Sequence, residues 1–312
     1  MRTELSARAT ARAQTGVVTL DSLQRVTRAL AWPALLVSSC AILAVGFAHG
    51  RATLFFNISY LWIVVWLLML ERAMPYRDDW RQPDGQIFQD LAHSVLNKGL
   101  VQLLIVILAG RGLLDHRSSG FLSSAPLTLQ VACGLVGSEF GLYWAHRLKH
   151  EWPGLWRFHA VHHSVRKLWL VNTGRFHCVD SLLAVLASLP FFLLSGMSMD
   201  AIIWVSAITA YIGILTHCNV AMACGWLSYL FNTPTLHRWH HARDSTIGNN
   251  NYGENLVLWD ILLGTYCNPP GRVVDNIGID EHMPRGFLSQ LAVPFLWRRH
   301  QAAHRLAPDE TG

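Results

Sequence analysis

Two stretches near the amino terminus decide the fold class: residues 30–48, LAWPALLVSSCAILAVGFA, and residues 54–70, LFFNISYLWIVVWLLML. Neither holds a charged side chain. Roughly 20 mostly apolar residues cross a bilayer as a helix, which satisfies its own backbone groups where no water can. Further apolar runs follow at 91–110, with Lys98 near its start, and at 127–145, which holds Glu139. Two shorter runs, 182–194 and 201–215, are separated only by residues 195–200 and read as a helical hairpin that need not cross fully. Composition agrees. The chain is 52% hydrophobic and 14% charged, against about a quarter charged in soluble domains, with a mean hydropathy of +0.27. The expected fold is all-α, a polytopic membrane helical bundle of about four transmembrane helices plus a short hairpin. One integral domain is expected over 28–273, between a polar segment at 1–27 and a tail at 274–312.

Short loops rich in Lys and Arg stay on the cytoplasmic side. Arg72, Arg77 and Arg81 follow the second run, and Arg147, Lys149, Arg157, Arg166 and Lys167 follow the fourth. The first intervening loop has only Arg51 and the hairpin tip has none, although Arg111 and Arg117 weaken the contrast. The N-terminus and everything after residue 145 are therefore expected in the cytoplasm. The net charge of +5 is modest and its arginines flank apolar runs, which excludes a nucleic-acid footprint. Six cysteines without a CxxC pair suggest reduced thiols. No removable signal peptide is expected in the first 27 residues. Late in the chain Phe287, Leu288, Leu291 and Phe295 form an apolar stripe ahead of Arg298 and Arg299, interrupted by Pro294. It suits a helix lying in the membrane interface.

The chemistry is carried by histidine. His146 and His150 form HxxxH; His159, His162 and His163 form HxxHH; His237, His240 and His241 form a second HxxHH. On a helix, residues i, i+3 and i+4 share a face, so each cluster is expected to present its imidazoles in one direction. Neutral imidazole ligates iron, zinc and copper, and these eight can surround two metal ions. All three clusters fall just beyond apolar runs, on the side expected to be cytoplasmic, as a histidine-rich helical cap.

Around the last box stand Thr216-His217, Asn232-Thr233-Pro234-Thr235-Leu236-His237-Arg238-Trp239-His240-His241, Asn251-Tyr252-Gly253, Trp259-Asp260 and Gly264-Thr265-Tyr266. This string resembles the fatty acid hydroxylase / sterol desaturase superfamily of membrane di-iron oxygenases, in particular its bacterial sterol-desaturase-like branch. The resemblance runs from roughly 90 to 270. It implies two iron ions held by the boxed histidines, with one or two more ligands from between the second and third boxes. His217 fits that role. His177, in Arg175-Phe176-His177, sits where relatives carry an RxHP-like element, with Cys178 in place of the proline. His93 is a weaker candidate that a helix-start cap explains as well. His49, His116, His282, His300 and His304 read as interfacial or surface residues.

Glu139, Tyr143, His146 and His150 lie on one helical stripe. An acid within a membrane span usually faces a functional cavity. Glu139 is expected to orient a ligand imidazole, to line a lipid pocket, or to make an interhelical hydrogen bond. Asp260 and Asn251 are candidates for hydrogen bonding behind the ligands, or for a turn or cap.

The resemblance implies O2-dependent hydroxylation of a membrane lipid (acyl chain, sterol-like lipid or headgroup), or desaturation at the same metal site. Electrons are expected ultimately from NAD(P)H through a separate reductase, ferredoxin or cytochrome b5-type donor, since the chain shows no haem, flavin or iron–sulfur motif. A bacterial inner membrane is the expected location. A bis-histidine haem carrier or a metal transporter fits less well, because those place ionisable groups singly within spans.

Overall fold

The computed structural model describes residues 2–111, 120–274 and 276–306. His116 and Arg117 lie outside them, as do Asp275 and the last six residues of the tail. The helices are α1 (Arg2–Ala48), α2 (Ala52–Ala73), α3 (Ile87–Gly110), α4 (Leu127–Glu151), α5 (Pro153–His163), α6 (Cys178–Ser195), α7 (Met199–Thr216), α8 (Pro234–His240), α9 (Ser245–Gly248), α10 (Leu258–Leu263) and α11 (Phe287–Leu306). Among the described residues there is no strand, only isolated bridges such as Pro75 with Val220 and Ala242 with Ile277.

Among the described residues, four helices are long and apolar enough to cross a membrane: Ser22–Ala48 within α1, then α2, α6 and α7. The first two are the runs quoted above. The other two are the hairpin, which is longer than its strictly apolar core suggests. His177 caps α6 by accepting from Val179 N, Ser198 caps α7 by accepting from Ala201 N, and Gly196 ends α6 in the left-handed region (φ 68°). These caps extend each helix to 18 residues. α4, expected to span, is not among the four, because Gln130, Ser138 and Glu139 dilute its hydropathy. The apolar end of α3 lies partly outside the residues whose side chains are described.

α1, α2 and α7 enclose one core of Trp32, Leu35, Leu43, Ile63, Leu67, Tyr211 and Leu215. α4 packs on α5, α6 and α7. Only 11% of the α6 span is buried, so Leu182, Leu186, Leu193 and Leu194 face outward as on a lipid-facing helix. The α4–α6 contact is close because small residues line it. A Cβ on Gly141 would stand 2.0 Å from the Ala187 carbonyl oxygen, and one on Gly137 would enter the Phe191 ring. Gly141→Ala is therefore expected to cost about 1–3 kcal/mol by overpacking. Gly213→Ala in α7, with open space around it, should be neutral. Thermal unfolding in detergent checks the pair, and equal melting temperatures would refute the close approach.

The carboxyl ends of α2, α4 and α7 and the amino end of α6 meet at one end of the bundle. Glu71, at the end of α2, ties that helix to the segment before α6 and to the residues after α7 by accepting from Leu170 N (2.8 Å) and Asn219 N (2.9 Å). The histidine boxes converge there.

Candidate metal centre

Nine of the ten histidines proposed as ligands gather into two buried groups. His146, His150, His159, His163 and His240 form one; His162, His217, His237 and His241 form the other. Each box was expected to point one way, yet both HxxHH boxes are split. His159 and His163 join the five-membered group while His162 joins the four-membered one; His237 and His241 join the four-membered group while His240 crosses over. Helical geometry explains it. At about 100° per residue, i and i+4 diverge by roughly 40°, whereas i+3 lies roughly 60° to the other side. The groups adjoin, with the His163 and His241 rings stacked at 4.3 Å.

The Nε2 atoms converge. His159 Nε2 lies 3.0 Å from His146 Nε2 and 3.1 Å from His163 Nε2. His241 Nε2 lies 3.1 Å from both His162 Nε2 and His237 Nε2. His150, His217 and His240 each leave a buried Nε2 with no hydrogen-bond partner. In seven of the nine rings Nδ1 has a partner, whereas His241 Nδ1 is buried without one. His146 Nδ1 donates to Tyr252 O (2.7 Å), His240 Nδ1 to Asn250 O (2.8 Å) and His162 Nδ1 to Arg175 O (3.2 Å). His150 Nδ1 donates to Asn249 Oδ1 (3.0 Å) and His217 Nδ1 to Asn172 Oδ1 (3.2 Å). His159 Nδ1 donates to Asp180 Oδ2 (2.7 Å), and the Asn232 amide lies 3.4 Å from His237 Nδ1. In the six rings whose Nδ1 faces an oxygen, a proton fixed on Nδ1 leaves the Nε2 lone pair free, the arrangement that metal-bound histidine adopts. The donor set thus fits transition-metal ions, one for each group.

Sequence reasoning missed the residues behind the imidazoles. Asp180 is fully buried between His159 and Lys149 Nζ, with which it pairs. It is an acid in the first turn of an otherwise apolar helix, a signal that was present in the sequence. Asn172 and Asn249 carry no such signal, since their role arises only when distant loops meet. Asn251 was a candidate. It adopts φ 56°, which Asn tolerates, and its amide is bound to Cys267 N, Cys267 O and Leu236 O. That turn aims the carbonyls of Asn250 and Tyr252, on either side of Asn251, at His240 and His146.

Asp260 acts one step further back. It accepts from Tyr252 N, Gly253 N and Thr265 Oγ1, holding the turn from outside. Glu139 touches no imidazole. Its oxygens accept from Asn255 N (2.8 Å) and Asn255 Nδ2 (2.9 Å), joining α4 to the loop. His177 lies outside both groups: Nδ1 accepts from Val179 N and Nε2 donates to Leu291 O. His93 contacts Gln290 Oε1 at 3.1 Å and links α3 to α11. His49 is exposed, as expected. His282, His300 and His304, read as separate surface residues, instead stand together.

Burial pushes the His217 and His240 imidazoles down to about 3 from an ordinary 6.5. With the folded value below the unfolded one, the unfolded chain binds the extra proton. Stability is then complete above about pH 6.5 and is lost as pH falls toward 3. One unit below 6.5, each such imidazole costs roughly 1.4 kcal/mol. Metal-stripped protein is expected to melt at clearly lower temperature at about pH 5.5 than at about pH 7.5. An unchanged melting temperature would contradict the burial of these rings.

A cavity of about 2020 Å³ reaches His150, His163 and His240 from outside. Arg157, Arg243, Asp244, Asp280 and Glu281 line it, with Phe295 and Leu296 of α11. None of the four-membered group does.

The family model described as Fatty acid hydroxylase matches residues 131–265, from α4 to just past α10. The chain is 45% identical over 283 residues to an "Ornithine lipid hydroxylase OlsE" of Rhizobium tropici, covering 88% of this chain and 85% of that protein. It is 30% identical over 169 residues to an "Alkylglycerol monooxygenase" of Danio rerio, covering 53% of this chain and 36% of that protein. It is also 30% identical over 166 residues to a "Delta(7)-sterol 5(6)-desaturase" of Eremothecium gossypii, covering 48% and 41%. No solved structure matches.

Proposed function

Because this chain belongs to the fatty acid hydroxylase family, and is therefore an oxidoreductase, we propose that it hydroxylates a membrane lipid with O2 at a pair of iron ions. The convergence of nine imidazole Nε2 atoms into a group of five and a group of four carries this reading. His146, His150, His159, His163 and His240 would hold one ion; His162, His217, His237 and His241 the other. Bound iron would supply the oxidation of an unactivated C–H bond, chemistry beyond any side chain.

The protein's part is to position and to exclude water. Asp180 and the carbonyls of Asn250, Tyr252 and Arg175 hold the rings; Asp260 holds the turn that carries the Asn250 and Tyr252 carbonyls, and Glu139 ties α4 to the loop that follows that turn. His177 is proposed to support the rings through the start of α6. The substrate enters by the cavity over His150, His163 and His240. Its arginines and acids suit a charged headgroup and Phe295 and Leu296 suit the adjoining chain. An ornithine lipid, or another amino-acid-containing lipid, has this character.

The histidine centre is proposed to face the cytoplasm of a bacterial inner membrane, where a separate reductase, ferredoxin or cytochrome b5-type protein would bring electrons from NAD(P)H. α11, with Leu288, Phe295 and Leu296 exposed, would lie in the interface beside the cavity mouth.

Lipid mass spectrometry of cells that make the protein, against the same host without it, tests the reaction. An aminolipid gaining one oxygen atom is expected. Loss of two hydrogen atoms would replace hydroxylation by desaturation, the reading favoured by the sterol desaturase likeness. Unchanged lipids in a host that supplies a donor and assembles the metal centre would overturn both.

A further inference from the structure

His282 and His304 line the cavity and His300 stands against them, all three outside the nine-histidine centre. His300 and His304 are one turn apart on α11, and His282 comes from the loop before it. The ring nitrogens share the signature of the buried groups: His282 Nδ1 stands 2.9 Å from His300 Nε2, and one ligand atom from each residue lies within 4.8 Å of the others.

The cluster is built. Gln301 clamps His282 by accepting from its backbone N–H (3.0 Å) and donating to its carbonyl (2.9 Å). The loop is itself fastened to the buried centre. Gly278 N donates to His241 O, Arg243 N donates to Asn276 O, and Trp156 Nε1 donates to Glu281 Oε1. One wall of the cluster is thus rigid, and the other is the last part of α11.

We propose that His282, His300 and His304 form a third, solvent-facing site for a divalent transition-metal cation, which clasps the end of α11 to the preceding loop at the cavity mouth. Three neutral nitrogens with no carboxylate among them select zinc, cobalt, nickel or copper over calcium or magnesium. Three imidazoles with solvent in the remaining position make a complete coordination shell for such an ion. The site does not depend on which lipid is oxidised or on the identity of the buried metal.

The test titrates Co2+ into purified, iron-loaded protein and follows visible absorption, with iron and cobalt counted by mass spectrometry after desalting. One equivalent of cobalt is expected beyond an unchanged iron content, together with slower tryptic cleavage after Arg298 and Arg299. His282→Gln should bind cobalt more weakly by more than the roughly 10-fold that loss of an outer hydrogen-bond partner costs. The double variant His300→Ala, His304→Ala should take up none, while both variants keep their iron. Wild-type protein that binds no cobalt except by displacing iron overturns the proposal. So do variants that match wild type.

Discussion

His240→Ala is expected to reduce product formation to background and to weaken metal binding at the five-histidine group. His240 reaches from the last box into the group built mainly by the first two, so it is the strut that joins α8 to α4 and α5. Its Nε2 is buried and unpartnered, while Nδ1 is fixed by Asn250 O. Alanine removes a donor that nothing nearby replaces. Loss of an outer hydrogen-bond partner alone costs about 10- to 100-fold in affinity or activity, and loss of a direct ligand should exceed about 100-fold by the same measure. Under chelator competition metal should leave this group first, with the group of His162, His217, His237 and His241 still loaded. His237→Ala should give the complementary loss. A His240→Ala protein with both ions and full turnover would remove the two-group reading.

Asp180→Ala has the next largest effect, and it acts on stability and chemistry together. The carboxylate is wholly buried, with side-chain exposures of 0% for Asp180 and 3% for Lys149. Removing it strands the Lys149 ammonium, a loss of about 3–5 kcal/mol, and frees the His159 ring to turn. Metal affinity should drop by about 10- to 100-fold. The two effects separate in the double variant Asp180→Leu, Lys149→Met. Replacing a buried pair by apolar side chains of like volume restores stability, but no acceptor remains for His159 Nδ1. Melting temperature near wild type with weakened metal binding is the expected result. Full recovery of metal binding would reduce Asp180 to a structural partner of Lys149.

Much of this was legible beforehand because it is periodic. Residues 30–48 and 54–70 announce spans through uninterrupted apolarity, and HxxxH and HxxHH announce a candidate metal centre through helical spacing. The hairpin was underestimated because its caps, His177 and Ser198, are polar and lie outside the apolar run. Glu139 was legible as a buried acid in α4, but its partner was not, since Asn255 lies 116 residues away.

The chain alone determined the class of fold, eight of the nine converging histidines by their boxes, and His217 through the family likeness. The tertiary structure decided how they divide. A helix sends i and i+4 one way and i+3 the other, so which neighbour meets His162 or His240 depends on where α7 and α8 are docked. It also decided what holds the rings, because the backbone carbonyls of Arg175, Asn250 and Tyr252 carry no side-chain identity for a sequence to display. His282 and the pair on α11 show the same limit: proximity across a loop is a property of packing, and no spacing rule encodes it.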